Sequence, residues 1–135
     1  MSDELYQEKI VALAKAKTGA GKLATPTRTA QRDNPLCGDR VIVDVTLDAA
    51  GKITEIAHQV RGCLLCQASA SALSSLAIGK DAGGIAEIRH DAERALGREQ
   101  GVAHEPYAAF APVAAHKSRQ ECVLLPLEAL KDALS

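Results

Sequence analysis

Four cysteines, and a carboxylate beside the first of them, carry the chemistry this chain can offer. Cys37 lies in Asn34-Pro35-Leu36-Cys37-Gly38-Asp39, a tight turn that holds a thiol and a carboxylate two residues apart. Cys63 and Cys66 come next in Arg61-Gly62-Cys63-Leu64-Leu65-Cys66, and Cys122 stands alone near the carboxyl end. Three thiolates from Cys37, Cys63 and Cys122 with the Asp39 carboxylate suit tetrahedral zinc or an iron–sulfur cluster. Their spacings of 26 and 59 residues are unlike the paired close spacings of structural zinc modules, so only a fold can assemble such a site. In a reducing compartment, thiols at the ends of elements are more often metal ligands or reactive groups than disulfides, while four inert buried cysteines remain the alternative.

The elements that must position these residues are legible to different degrees. Val41, Val43, Val45 and Leu47 alternate with Ile42, Asp44 and Thr46, the period of a half-buried strand. Asp48-Ala49-Ala50-Gly51 turns the chain, and residues 53–60 return beside the first strand as a β-hairpin. His58 shares a strand face with Ile56 and Val60 and reads as a packing residue. Gly62 permits a sharp exit, and residues 64–78 are helix formers stopping at Gly79. Cys63 therefore sits at a helix amino terminus, where the dipole and free N–H groups favour its thiolate. Cys66 lies one turn in, in a row with Ala70, Leu73 and Ala77 that reads as core.

Residues 3–16 carry a helical pattern in Tyr6, Ile10 and Leu13. The glycines and prolines after it predict a loop running to Cys37; Gly19-Ala20-Gly21-Lys22 has the wrong spacing for a phosphate loop and no strand before it. Asp81 can cap a helix reaching towards Leu96. Residues 97–112 predict a loop or short helix anchored by Tyr107 and Phe110, with His90, His104 and His116 in solvated surroundings. After Val113 a helical stretch places Arg119 and Cys122 on one face at i and i+3. Pro126 predicts its end or a kink, before a terminal helix striped by Leu127, Leu130 and Leu134.

At 135 residues, 47% of them hydrophobic, the chain is long enough for one compact domain and short for two, so residues 1–135 read as a single domain. Aromatics are 2% with no Trp, so the core must be Ala, Val, Leu and Ile, and a bound metal would add stability. Sixteen Lys and Arg against seventeen Asp and Glu, with no basic run, argue against a nucleic-acid partner. The start Met1-Ser2-Asp3-Glu4-Leu5 is unlike a signal peptide, and no stretch approaches the ~20 apolar residues of a membrane span. The expectation is a cytoplasmic protein that binds no membrane.

Three ordered motifs resemble one family. Asn34-Pro35-Leu36-Cys37-Gly38-Asp39-Arg40, then Gly62-Cys63 with Gln67-Ala68-Ser69-Ala70-Ser71, then Arg119-Gln120-Glu121-Cys122 with Leu125-Pro126-Leu127-Glu128-Ala129-Leu130, resemble the U-type iron–sulfur cluster assembly proteins: IscU, SufU and the amino-terminal domain of NifU. The long segment between Asp81 and Pro112, and an Arg three residues before the last cysteine, look most like the SufU branch. IscU carries a histidine where this chain has Glu121, and of its Pro-Pro-Val-Lys chaperone-recognition stretch only Pro112-Val113 has a counterpart.

The resemblance implies an α+β fold, a small antiparallel β-sheet covered by helices, with Cys37, Asp39, Cys63 and Cys122 as the ligands of zinc or of a [2Fe-2S] cluster at the same site. Arg119 is a supporting residue. Cys66 has no counterpart among the family's ligands, which leaves it a core residue, a fifth ligand or a resolving thiol. The implied partner is a pyridoxal-phosphate cysteine desulfurase of the SufS or IscS kind, with iron–sulfur acceptor or carrier proteins downstream. In the SufU version Cys37, or alternatively Cys122, accepts persulfide sulfur in a zinc-dependent sulfurtransferase step; in the IscU version a cluster is built on the site and released. A purely structural zinc site is the third reading and predicts a closed, buried shell, whereas either functional reading needs ligands at an exposed rim. In those readings an exposed Asp39 would be the exchangeable ligand, since carboxylate holds an iron–sulfur cluster more weakly than thiolate does.

Overall fold

The computed structural model describes residues 2–35 and 38–135, with side chains from residue 8 onward. The elements in order are α1 (Ser2–Ala16), β1 (Arg28–Asn34), β2 (Asp39–Leu47), β3 (Ile53–Arg61), α2 (Leu64–Ala77), α3 (Ala82–Ala95), a 3₁₀ helix (Tyr107–Ala115) and α4 (Lys117–Leu134). The described residues form a three-stranded antiparallel sheet in the order β1-β2-β3. The β2–β3 hairpin arises from its alternation: Val41, Val43 and Val45 are at most 2% exposed and stand opposite Val60, His58 and Ile56. In its turn Asp48 Oδ1 accepts from the amides of Ala50 and Lys52, and Gly51 takes φ +81°, where a side chain is strained.

β1 corrects the expectation of a loop reaching Cys37. It is an edge strand, pairing Arg28 with Val45 through to Asn34 with Asp39, and its exposed side chains, Arg28, Thr29 and Gln31 to Asp33, carry no apolar alternation to announce it. What holds it is the backbone of β2, with α4 packed across it and Arg32 reaching Asp132 at 2.6 Å. At its end Arg40 grips Asp33 with two nitrogens, and that guanidinium holds the Asp33 carboxyl below the usual carboxylate range.

α2 and α4 cover the valine face, with α4 lying across β1 and β2 and α2 against β3. Pro126 lies inside α4, which runs from Lys117 to Leu134, so of the expected end or kink the end does not occur. An interior proline costs ~3 kcal/mol, and the burial of Val123, Leu127 and Leu130 at no more than 1% exposure offsets it at ~1.5–3 kcal/mol per side chain. Asp81 caps α3 by accepting from Gly84 N at 2.9 Å. Tyr107 and Phe110 anchor the segment as expected, both fully buried with ring centroids 5.5 Å apart, and burial pushes the Tyr107 phenol well above its ordinary range. Among the described residues no helix is long and apolar enough to cross a membrane.

The glycine-rich segment before β1 is a strap. Gly19 O accepts from His58 N at 2.8 Å, and Gly21 N donates to His58 O at 2.9 Å, so the strap lies along the outer edge of β3. It then crosses to the sheet's other face, where Leu23 N and Thr29 Oγ1 donate to the buried Asp44 carboxylate. A Cβ on Gly19 would stand 2.5 Å from Ser74 Oγ, so the close approach requires glycine. His58 is buried, as its strand face predicted, and Nε2 donates to Thr18 O at 2.8 Å. Burial holds its pKa below the ordinary 6.5, the bond to Thr18 only partly opposing.

A folded-state pKa below the unfolded value of about 6.5 means that the unfolded chain binds the proton more readily, so the contribution of His58 to stability is complete above about pH 6.5 and declines as the pH falls through it. His90, raised by Glu99, works in the opposite sense and is common to both proteins in the comparison. Urea unfolding at about pH 7.5 and about pH 5.5 is expected to show a larger acid loss in the parent than in His58→Phe, which cannot gain that proton; parallel losses would exclude His58 as the cause.

Candidate metal centre

Three element ends meet at one corner of the sheet. Asp39 begins β2, Cys63 is the residue before α2, and Cys122 lies in the second turn of α4. One ligand atom from each of Asp39, Cys63 and Cys122 lies within 4.8 Å of the others. Donors ~2.3 Å from a common tetrahedral ion stand ~3.8 Å apart, so small shifts suffice for all three to reach one ion.

The β1–β2 hairpin aims Asp39. Asn34 pairs with Asp39 across the ladder, Gly38 N donates to Asn34 O at 2.8 Å, and Gly38 takes φ +75°. Cys37, with the expectation that it is the fourth ligand, lies outside the described residues; its neighbours Pro35 and Gly38 belong to this hairpin end. Asp39 is only 4% exposed, and among the described residues its buried Oδ2 has no hydrogen-bond partner. A buried carboxylate oxygen left so is expensive, and a cation among Asp39, Cys63 and Cys122 would satisfy it. The donor set and this orphaned oxygen fit zinc or an iron–sulfur cluster.

Gly62 has a second role here that sequence reasoning missed. Beyond serving as the exit from β3, it makes room for Asp39: a Cβ on Gly62 would lie 2.7 Å from Asp39 Cγ and 2.9 Å from Oδ1. The carboxylate occupies the place a side chain would fill. No local signal separates that requirement from a glycine needed for a turn. The junction is further held by Gln67, whose Nε2 donates to Gly62 O at 3.0 Å. Cys63 then enters α2 with extended backbone (φ −71°, ψ 169°), with no side-chain cap and no acid in the first turn, so no side chain there offsets the positive helix end beside it.

Cys122 is placed from several sides. Gln120 donates from Nε2 to Ala114 O, and Arg98 binds Gln120 Oε1 and Glu121, both at 2.7 Å, which ties the start of α4 to the segment after α3. Next to Cys122, Val123 O accepts from Ser69 Oγ at 2.6 Å, and Ser69 is also bonded to the Tyr107 hydroxyl. This buried triad joins α2, the 3₁₀ helix and α4, a contribution the sequence did not reveal.

The expectation of an exposed rim is met by half-buried Cys63 but not by Asp39 or Cys122, at 4% and 5% exposure. Asp39 is therefore not exposed, contrary to the expectation, and the Gly62 junction packs against it. Arg119 is exposed in the first turn of α4 while Cys122 is buried, so their shared face is not a shared environment; Arg119 borders a groove with Ile10, Leu65, Pro112 and Val113. Cys66 is fully buried in the core with Leu73 and Ala77 and is not one of the residues whose ligand atoms meet. His58 is likewise structural, and His104 and His116 are exposed. His90, Glu93 and Glu99 form a second cluster of possible ligands, but it lies at the surface, where Glu93 and Glu99 already face Arg89 and Arg94.

The model of the NifU-like N terminal domain matches residues 5–134. The bifunctional protein NifU/MnmA of Rubrobacter xylanophilus is 31% identical over 96% of this chain, which spans 28% of that protein's length. The iron–sulfur cluster assembly scaffold protein IscU of Thermotoga maritima is 26% identical, covering 96% of this chain and 92% of its own. Among solved structures, the amino-terminal part of a nitrogen-fixing NifU-like protein from Brucella abortus superposes with a TM-score of 0.86 at 30% identity, covering 97% of this chain and 92% of that one. A candidate iron–sulfur cluster assembly scaffold protein for the SUF system from Fervidobacterium islandicum gives 0.83 at 27% identity, covering 95% of each.

The packing of Gly62 on Asp39 makes a direct prediction. Gly62→Ala should displace the carboxylate and weaken zinc binding by ~10–100-fold, the range for residues that orient a ligand, in competition with a chromophoric chelator. Unchanged affinity in a variant with parental circular dichroism would show that Asp39 is not held by this contact.

Proposed function

The chain belongs to the NifU-like N-terminal domain family, and from that premise we propose that it is an iron–sulfur cluster assembly protein of the SufU kind, taking persulfide sulfur from a pyridoxal-phosphate cysteine desulfurase. The observation that carries the reading is the meeting of Asp39, Cys63 and Cys122 around an orphaned buried carboxylate oxygen. Two thiolates and a carboxylate from three distant chain segments form a soft, anionic cage, whose use elsewhere is to hold zinc or iron–sulfur units.

In this reading Cys37, Asp39, Cys63 and Cys122 hold zinc in the resting protein. Bound zinc keeps its thiolate ligands deprotonated and protected. When the desulfurase docks, one thiolate is freed, Cys37 in the first place and Cys122 as the alternative. It attacks the terminal sulfur of the desulfurase persulfide: the sulfur–sulfur bond on the donor breaks, a new one forms on the acceptor, and the donor cysteine departs as thiolate. The transferred sulfur then passes into cluster biogenesis by way of acceptor or carrier proteins. Half-buried Cys63 is the open side of the described part of the site, and exposed Arg119 stands on the same end of α4, available to a docking partner.

A second reading is favoured by the Thermotoga relative, named as a scaffold: iron and sulfide assemble into a [2Fe-2S] unit on the same residues, and that cargo is released to an acceptor. The burial of Asp39 and Cys122 is what a purely structural zinc site would show, and the experiment must separate all three. Protein purified without oxygen is expected to carry ~1 zinc per chain, to accelerate a cysteine desulfurase at least ~10-fold with a thiol reductant present to unload the acceptor, and to lose that effect in Cys37→Ser while keeping it in Cys66→Ser. Asp39→Ala should keep the fold and alter zinc occupancy. Transfer of a preformed cluster to an apo-acceptor without desulfurase stimulation would favour the scaffold, and neither activity would leave structural zinc.

A further inference from the structure

Cys66 is not needed to hold the ion in this arrangement, yet it stands where a helix presents a second thiol to the first. We propose that Cys66 is the resolving thiol of Cys63: sulfane sulfur carried on Cys63 is expelled as sulfide when Cys66 attacks the Cys63 sulfur, leaving a Cys63–Cys66 disulfide. The proposal rests on the sulfur-accepting reading and adds the step after acceptance.

Three observations carry it. Cys63 caps α2 and Cys66 is the third residue of the helix, one turn on, so their Cα atoms are ~5–6 Å apart, inside the ~4.4–6.8 Å that a disulfide spans. Cα–Cβ bonds in a helix tilt towards its amino terminus, so the Cys66 side chain leans towards Cys63. Access is unequal: Cys63 is half-buried whereas Cys66 has no exposed surface. Of this pair a small reagent meets Cys63 first, and Cys66 is then reached from Cys63. That asymmetry of an outer and an inner thiol on the first turn of a helix is the arrangement of Cys-X-X-Cys redox pairs.

The step balances. In the version in which Cys122 is the acceptor, sulfur moves from it to Cys63, whose ligand atom lies within 4.8 Å of that of Cys122, by attack of the Cys63 thiolate on the terminal sulfur, which frees the Cys122 thiolate. Cys66 then attacks the Cys63 sulfur. The bond between that sulfur and the sulfane sulfur breaks, the electron pair leaves with HS⁻, and the Cys66 proton completes H₂S. The sulfane sulfur is reduced by two electrons, and the two thiols are oxidised to the disulfide. A dithiol reductant restores the pair by becoming a disulfide itself. Because Cys63 cannot face Asp39 and Cys122 while bonded to Cys66, a bound ion holds the pair reduced and the disulfide excludes the ion.

Two arms test this. In the first, the metal-free parent is treated with one equivalent of the aromatic disulfide dithiobis(nitrobenzoate), independently of any sulfur delivery. Release of two thionitrobenzoate ions per reagent, with a Cys63–Cys66 cross-link in a non-reducing peptide map of the unaltered protein, is the expected result; in Cys66→Ser that cross-link is lost, and with Cys122→Ser added, so that Cys122 cannot attack, a mixed disulfide should persist on Cys63. In the second, desulfurase and cysteine are supplied without reductant. Parent and Cys66→Ser should load equal sulfur, but the variant should release sulfide at least ~10-fold more slowly and keep its persulfide. A parent that loads sulfur yet forms no such cross-link in either arm overturns the proposal. A cross-link in the first arm with no sulfur loaded on either protein overturns the sulfur-accepting reading, and the sulfide-release step falls with it.

Discussion

The close packing of Gly62 against Asp39 is the contact on which the candidate metal centre depends. Hydrogen at Gly62 leaves the carboxylate the space that a methyl would take, at 2.7 Å from its Cγ. Because Gly62 is also the last residue before Cys63, one missing side chain sets the distance between a strand beginning at Asp39 and a helix beginning at Leu64. Among the described residues the donors are thus mounted at or near element ends rather than in long loops.

The apolar core provides the frame for that junction. With so few aromatics, the valines of β2 and the alanine- and leucine-rich faces of α2 and α4 pack at short range, where loss of even one methylene is felt. Polar contacts inside this frame are few and specific. The Tyr107–Ser69–Val123 chain locks α4 against α2 beside Cys122, and His58 ties the strap to β3. The first is buried and the second part-buried, and both are directional, so they fix register rather than add bulk stability.

Burial also shapes the chemistry. Asp39 and Cys122 are buried while Cys63 is half-buried, so access to the described donors is graded. Cys66 sits behind Cys63 in the same turn.

The sequence by itself determined the local parts: the alternating valines of β2, the turn at Asp48–Gly51, the helix start at Cys63 and its stop before Gly79, the cap at Asp81, and the three motifs that mark the family. These are legible because periodicity, capping and turn chemistry act between residues close in the chain. Four features were decided only by the tertiary structure. The polar edge strand β1 exists because β2 offers it hydrogen-bonding partners, which its own residues do not announce. α4 continues through Pro126 because burial against the sheet outweighs a local cost. The glycine strap is ordered by the edge of β3. Asp39 is buried rather than exposed, with Gly62, 23 residues away in the chain, packed against it, and no pattern within a strand or a turn records a contact whose other half lies in a different element.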